Sequence, residues 1–408
     1  MNPTTAIPAS DFLDTIGVNG HLGYDDTGYG KYDEIVKPRL TELGVRHWRD
    51  GLLLGADLED EDSMYFGRLR DMAGYGVQFD LVLGNPSEED DRAEKGLGDI
   101  SSLDERTGGA VVGVEGLNEP DLQLEDYDDW AATTERQQKQ LYETVRSEPS
   151  LDDVAVLGPT PIFEAGELAD LGDYADGGSV HNYYAGRHPD AGPLEWETAN
   201  ARLVTGDKPI YSTETGYHSA MATTDTHLPT PENIIGRYLP RVYLTHFLKG
   251  VRRTYMYEFL STFPDDDTEP EANFGLLRSD GTPRPSFFAL KNLIDVLGGP
   301  DGATVDVPRT VDFRLDGDLE GVKSVLLERA DGQLVLALWL ETSGYDPETR
   351  KEVPVESREI AVVLADDDMR ATATHRLEDD GSLTSAEPAP DPMPTVDVSG
   401  NVLLVELQ

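Results

Sequence analysis

The sequence predicts an α/β protein: a (β/α)8 TIM barrel over residues 1–300, followed by a small antiparallel β-sandwich over 301–408. Three observations carry this prediction. Eight short β-type runs recur along the first part of the chain, each followed by a stretch with apolar residues at helical spacing. No Gly-rich phosphate loop follows the first run, which favours a closed parallel barrel over an open doubly wound sheet. After the turn-rich Gly298-Gly299-Pro300-Asp301-Gly302 the pattern is β only, as in a separate module.

Taken in order, Thr15–Asn19 reads as strand one, with Gly20–Tyr24 as the loop behind it. Ile35, Val36, Leu40 and Leu43 then give a helix over Tyr32–Leu43, which Gly44 caps. Val45–Asp50 is strand two, Met64–Met72 a helix and Phe79–Gly84 strand three. Strand four is Val111-Val112-Gly113-Val114-Glu115-Gly116-Leu117, an apolar run that ends in Asn118-Glu119 and is stopped by Pro120, which has no N–H for a ladder. A long helix over Asp129–Val145 precedes strand five, Val154–Pro159. Strand six is Gly178–Tyr183, strand seven Pro209–Glu214, and strand eight Arg253–Glu258 after a helix over Asn233–Leu248; Phe287–Val296 closes the set. Beyond residue 300, Gly321–Arg329, Gln333–Leu340, Ile360–Leu364 and Val402–Leu407 are the sandwich strands, with Leu338-Trp339 in their core.

Charge narrows the function. Lys+Arg is 33 against Asp+Glu 79, a formal charge of −46, which repels nucleic acid and anionic membranes. Acidic residues run together at Asp57–Asp62, Glu88–Asp91 and Asp265–Asp267, each read as a solvated loop. The composition resembles that of haloarchaeal proteins, whose acidic surfaces are screened by salt. Cys is 0, so neither a disulfide nor a thiol nucleophile exists. No apolar run reaches the roughly 18 residues of a membrane span, and Met1–Pro8 lacks the pattern of a signal peptide. A soluble protein is expected, cytoplasmic as the chain stands and extracellular if it is a mature or truncated form. The sequence sets no oligomeric state.

The C-terminal ends of barrel strands are where such a fold keeps its reactive groups. Asn118-Glu119 ends strand four, and Glu214 ends strand seven. Two carboxyl groups on one barrel mouth suit glycoside hydrolysis, in which one protonates the leaving oxygen and the other attacks the anomeric carbon or activates water. Asn118 can bond a sugar hydroxyl beside the reacting carbon. Arg49, ending strand two, can hold Glu214 ionised or pair with Asp50. Tyr183, ending strand six, can donate to Glu214, while His181 lines the same face or serves as a bonded core histidine. His21 suits either a sugar contact or loop packing, and Glu258 either a sugar hydroxyl or a pairing with Arg252 or another cation. Trp48 is read as a packing residue and Glu115 as the buried partner of a barrel cation. The histidines lack metal-ligand spacing, so no metal is expected, and the chemistry requires no cofactor.

These residues resemble glycoside hydrolase clan A, whose retaining barrels carry an acid/base Glu on strand four and a nucleophile Glu on strand seven. The matching motifs are Asn118-Glu119-Pro120, Thr213-Glu214-Thr215-Gly216, His181-Asn182-Tyr183 and Arg49. Within the clan the chain is most similar to family 39 and to family-5-like enzymes. Where many relatives place a tryptophan floor on strand eight, this chain has Tyr257-Glu258-Phe259. The resemblance implies a retaining hydrolase of β-linked oligo- or polysaccharides, with Glu214 as nucleophile, Glu119 as acid then base, and carboxyl groups about 5 to 5.5 Å apart. A non-catalytic glycan-binding barrel and a transglycosylase are the alternatives. Loops such as Ser87–Asp104 and His218–Glu232 decide whether the cleft is open or closed.

Overall fold

The computed structural model describes residues 2–52, 64–84, 97, 100–124, 129–299, 305–366, 368–387 and 394–408. The acidic runs at 57–62 and 88–91, part of the 87–104 loop and part of the turn at 298–302 lie outside the described residues. Eight parallel strands form one sheet: Ile16–Asn19, His47–Leu52, Gln78–Leu83, Val111–Leu117, Ala155–Leu157, Gly178–His181, Ile210–Thr215 and Arg253–Met256. Strand one pairs with strands two and eight, and the order around the sheet is 5-4-3-2-1-8-7-6. A bridge between Leu157 and Gly177 joins strand five to the start of strand six, with Gly158 N donating to Gly177 O at 2.9 Å, so the sheet curls into a barrel.

Two connections depart from the predicted pattern. The helix expected over Tyr32–Leu43 opens as a π turn, Tyr32–Val36, before α-helix Lys37–Leu43. Pro38 has no N–H to offer the carbonyl of Glu34, and its ring crowds that carbonyl, so the turn before it widens. Between strands five and six there is no α-helix, only 3₁₀ turns at Ala165–Glu167 and Gly172–Tyr174. Gly166, Asp170 and Gly172 punctuate that stretch, and the Asp170 carboxylate accepts from Gly172 N at 2.9 Å instead of leaving a helix to form.

The sandwich holds a four-stranded and a six-stranded antiparallel-rich sheet. Leu334–Leu340 is buried at every position because its sheet is covered on both sides. Leu334, Leu336, Leu338 and Leu340 face the second sheet, while Val335, Ala337 and Trp339 join the core shared with the barrel. Asn2–Thr5 pairs antiparallel with Thr310–Gly317, and Ile7–Pro8 pairs parallel with Val322–Glu328, so the chain begins in the sandwich and enters the barrel at Ala9. Those few residues have no periodicity of their own; their partner lies some three hundred residues away. No described helix is long and apolar enough to cross a membrane.

Candidate active site

Pro120 shapes the end of strand four. A residue before proline is pushed out of the right-handed helical region, and Glu119 adopts φ 43°, ψ 51°, a left-handed conformation rare for a non-glycine. Such a conformation costs about 1 to 3 kcal/mol and persists only where its surroundings fix it. Here it turns the chain from the strand into the short helix Pro120–Gln123, whose Leu122 and Gln123 N–H groups bond Glu119 O at 3.0 and 2.9 Å. The Glu119 side chain lines a cleft of about 630 Å³ at the C-terminal mouth of the barrel.

Glu214 meets the same cleft from strand seven, and its carboxylate is held on both oxygens. Arg49 Nη1 donates to Oε1 at 2.8 Å and Tyr183 OH to Oε2 at 2.7 Å. His181 Nδ1 lies 2.8 Å from Glu119 Oε1 and 3.7 Å from Glu214 Oε2, between the two carboxylates. Burial raises the Glu214 pKa, but His181, Arg49 and Tyr183 outweigh it and hold the carboxyl below the usual range. Burial disfavours a charged His181, but Glu214 and Glu119 outweigh that too, and its pKa is raised.

Arg49 is the hub of the mouth. Its guanidinium forks onto Glu115 at 2.5 and 3.2 Å, and it donates to Asn19 Oδ1 at 2.9 Å and Asn118 Oδ1 at 3.0 Å besides Glu214. Planar geometry with five donors is what lets one arginine serve four acceptors. Glu115 is thus the buried partner of a barrel cation. Asp50, the other partner considered for Arg49, instead accepts from Leu22 N, Trp48 Nε1 and Gly51 N, and burial pushes its carboxyl up to about 6. Trp48 is fully buried against Phe259 and Tyr29. Asp80 sits below, where Gly113 leaves it room: a Cβ there would stand 2.7 Å from Asp80 Oδ1.

The remaining candidates form the opposite wall. His21 stacks on Tyr24 at 4.7 Å and pairs with Glu258, Nε2 to Oε2 at 3.2 Å. Of the partners considered for Glu258, Arg252 belongs to the other end of the barrel, 4.0 Å from Asp14, and it is His21 that takes the place of another cation. Burial raises the Glu258 pKa, with His21 opposing. Tyr257 OH donates to Glu271 at 3.1 Å, and the Tyr257 ring meets Tyr183 and Phe274 edge-on.

All nine predicted site residues therefore lie at one mouth. The sequence reading passed over Asn19, Tyr24, Asp225, His227, Glu271 and Phe274, which line the same cleft. Asn19 ends strand one and had the same positional signal as Asn118; the others come from loops, where no periodicity points. Among the described residues Glu119, His181 and Glu214 also form the cluster with metal-ligand chemistry, one ligand atom of each lying within 4.8 Å of the others. Arg49 is the cation that this cluster already holds, on Glu214.

The fold is a parallel barrel with an attached antiparallel sandwich. No protein-family profile and no curated protein sequence matches the chain. Among solved structures it is similar to a family 39 glycoside hydrolase from Bacteroides cellulosilyticus, with TM-score 0.55 and 18% identity over 98% of this chain and 82% of that one. A family 51 alpha-L-arabinofuranosidase from Bifidobacterium longum gives 0.62 and 11% over 100% and 97%. A family 39 beta-xylosidase from Caulobacter crescentus gives 0.58 and 15% over 99% and 98%. At these identities the likeness is one of fold.

Proposed function

We propose that the protein is a retaining glycoside hydrolase of β-linked oligo- or polysaccharides, with Glu214 as nucleophile and Glu119 as acid then base. The observation that carries this reading is the unequal treatment of two carboxylates that face one another. Glu214 is ionised and gripped by Arg49 and Tyr183, whereas Glu119, among the described residues, meets His181 on one oxygen and is the more exposed, 24% against 12%. One oxygen of each lies within 4.8 Å of the other, which agrees with the roughly 5 to 5.5 Å carboxyl spacing of double displacement rather than the roughly 6.5 to 9.5 Å of inversion. Glu119 gives its proton to the glycosidic oxygen while Glu214 attacks the anomeric carbon; the C–O bond breaks and the aglycone leaves as an alcohol. Glu119, now ionised, takes a proton from water, whose oxygen displaces Glu214 and restores the starting configuration. Asn118 accepts from Arg49 through Oδ1, which fixes its amide in the cleft where a sugar hydroxyl would bind.

The test is a fluorosugar with an activated leaving group, followed by mass spectrometry of the peptides and NMR of the product. The label is expected on Glu214 and the product with its anomeric configuration retained. A label on Glu119, or an inverted product, overturns the assignment. Saturable glycoside binding without turnover would make the protein a glycan-binding barrel, and transfer to an added acceptor sugar a transglycosylase.

A further inference from the structure

The wall of the cleft formed after strand seven runs from Gly216 to Pro231 without regular secondary structure. It carries Asp225 and His227 into the cleft. The His227 ring stands 5.4 Å from the Tyr183 ring, whose hydroxyl holds Glu214, and stacks on Phe274 at 5.7 Å. A loop without a ladder must find donors for its carbonyls elsewhere. Two of them find the same side chain, and it comes from the sandwich: Arg350 donates through Nη1 to Met221 O and through Nη2 to Thr223 O, the latter at 2.6 Å.

Arg350 is itself held for this task. It lies in the turn of a hairpin pairing Tyr345–Asp346 with Lys351–Glu352, and the Asp346 carboxylate fixes that turn by accepting from Glu348 N, Thr349 N and Thr349 Oγ1. Its backbone sits at φ 52°, a left-handed conformation that a bulky residue keeps only when its surroundings impose it. The hairpin is seated on the barrel next door. Gly344 N donates to Tyr238 OH at 2.8 Å, Glu352 accepts from Asn233 at 2.9 Å, and a Cβ on Gly186, in the loop after strand six, would stand 2.6 Å from Pro347.

We infer that Arg350 is a positioning residue of the cleft: the sandwich uses it to fix the 220–227 segment, so that Asp225 and His227 form a substrate-binding rim. The sandwich is on this account part of the active site. Arg350 touches neither Glu119 nor Glu214, so its loss acts on substrate capture before it acts on chemistry. The inference rests on the glycosidase reading for its kinetic readout only.

The experiment compares the full-length wild type with Arg350→Ala, Arg350→Lys and the exposed sandwich control Arg314→Ala, using an aryl β-glycoside and amide hydrogen exchange. Arg350→Ala is expected to raise KM about tenfold with kcat changed by less than about threefold, the split that marks lost binding rather than lost transition-state contacts. Exchange should quicken over residues 218–230 and nowhere in the barrel strands. Lysine, with one ammonium for two carbonyls, should recover part of both effects, and Arg314→Ala should change neither. On a His227→Ala background the KM effect of Arg350→Ala should shrink, because the two act through one rim. Unchanged KM and exchange in Arg350→Ala, or quickened exchange throughout the chain with a fall in kcat, overturns the inference. A wild type that turns over no glycoside refutes the proposed function alone, since the exchange comparison still decides whether Arg350 holds the loop.

Discussion

The two ends of the barrel hold cavities of comparable size, about 630 Å³ at the C-terminal mouth and about 700 Å³ at the N-terminal base, and both are lined by charged residues. At the base one carboxylate, Asp14, meets His47 Nε2 at 2.9 Å, Arg253 Nη2 at 3.2 Å and Arg252 at 4.0 Å. Burial raises the Asp14 pKa but its bond to His47 and the nearby positive charge outweigh it, and the carboxyl is lowered. Burial drives His47 down to about 4, so it stays neutral as an ordinary donor. At that end one carboxylate is matched by an excess of cations. At the mouth carboxylates outnumber cations and are pushed apart: Glu214 down by its donors, Glu258 and Glu271 up by burial, Asp50 up to about 6. The larger cavity is thus the less equipped one. Volume does not mark a site; titratable groups forced to unequal protonation around a common space do.

Breaking the mouth is expected to give the largest effect. Glu214→Ala should lower turnover of every substrate by about 10⁴-fold or more, and added azide should restore activity with an inverted glycosyl azide. Glu119→Ala should lose natural glycosides by about 10²-fold while sparing the first step on activated aryl glycosides, and azide should rescue it with retention. Steady-state rates and NMR of the azide products check both, and a Glu214→Ala variant that kept more activity than Glu119→Ala would reverse the roles.

A smaller effect sharpens the same contrast. Tyr183→Phe removes a hydrogen bond to the charged Glu214, which should cost about tenfold in kcat/KM. Because that bond favours the ionised form, its loss raises the Glu214 pKa, so the acidic limb of the kcat/KM profile should move to higher pH. A limb that stays put or moves down would separate Tyr183 from the ionisation of Glu214.

The smallest effect belongs to the base. Asp14→Asn should leave kcat and KM unchanged and lower stability by at most about 1 kcal/mol, since Asp14 is 44% exposed and its pairs are screened. The folded pKa of Asp14 is depressed, so its contribution is present above the ordinary aspartate range and is lost as pH falls through the folded value. Melting curves of wild type and variant should therefore differ at neutral pH and converge in acid. A kinetic defect in Asp14→Asn would mean that the base, too, acts on the reaction.

What the sequence determined by itself was whatever rests on local pattern. Alternating β-runs and helical spacing gave eight strands in the right order, because burial on one face repeats with the period of the element. Pro120 after Asn118-Glu119 marked a strand end and a sharp turn, because proline restricts itself and the residue before it whatever the context. Glu115, apolar-flanked and central in its strand, announced a buried cation partner because an unpaired charge is not kept there. The tertiary structure alone decided which partner each charge took. Glu258 chose His21 over its near neighbour Arg252, and Asp265, in a run read as a solvated loop, joined Arg278 and Arg284 in an ion network. It also brought Asn2–Pro8 to the sandwich and Arg350 to the loop after strand seven. Such contacts join residues that share no repeat and no local conformation; they exist because two separately formed surfaces meet, and only the packing of the whole chain fixes where.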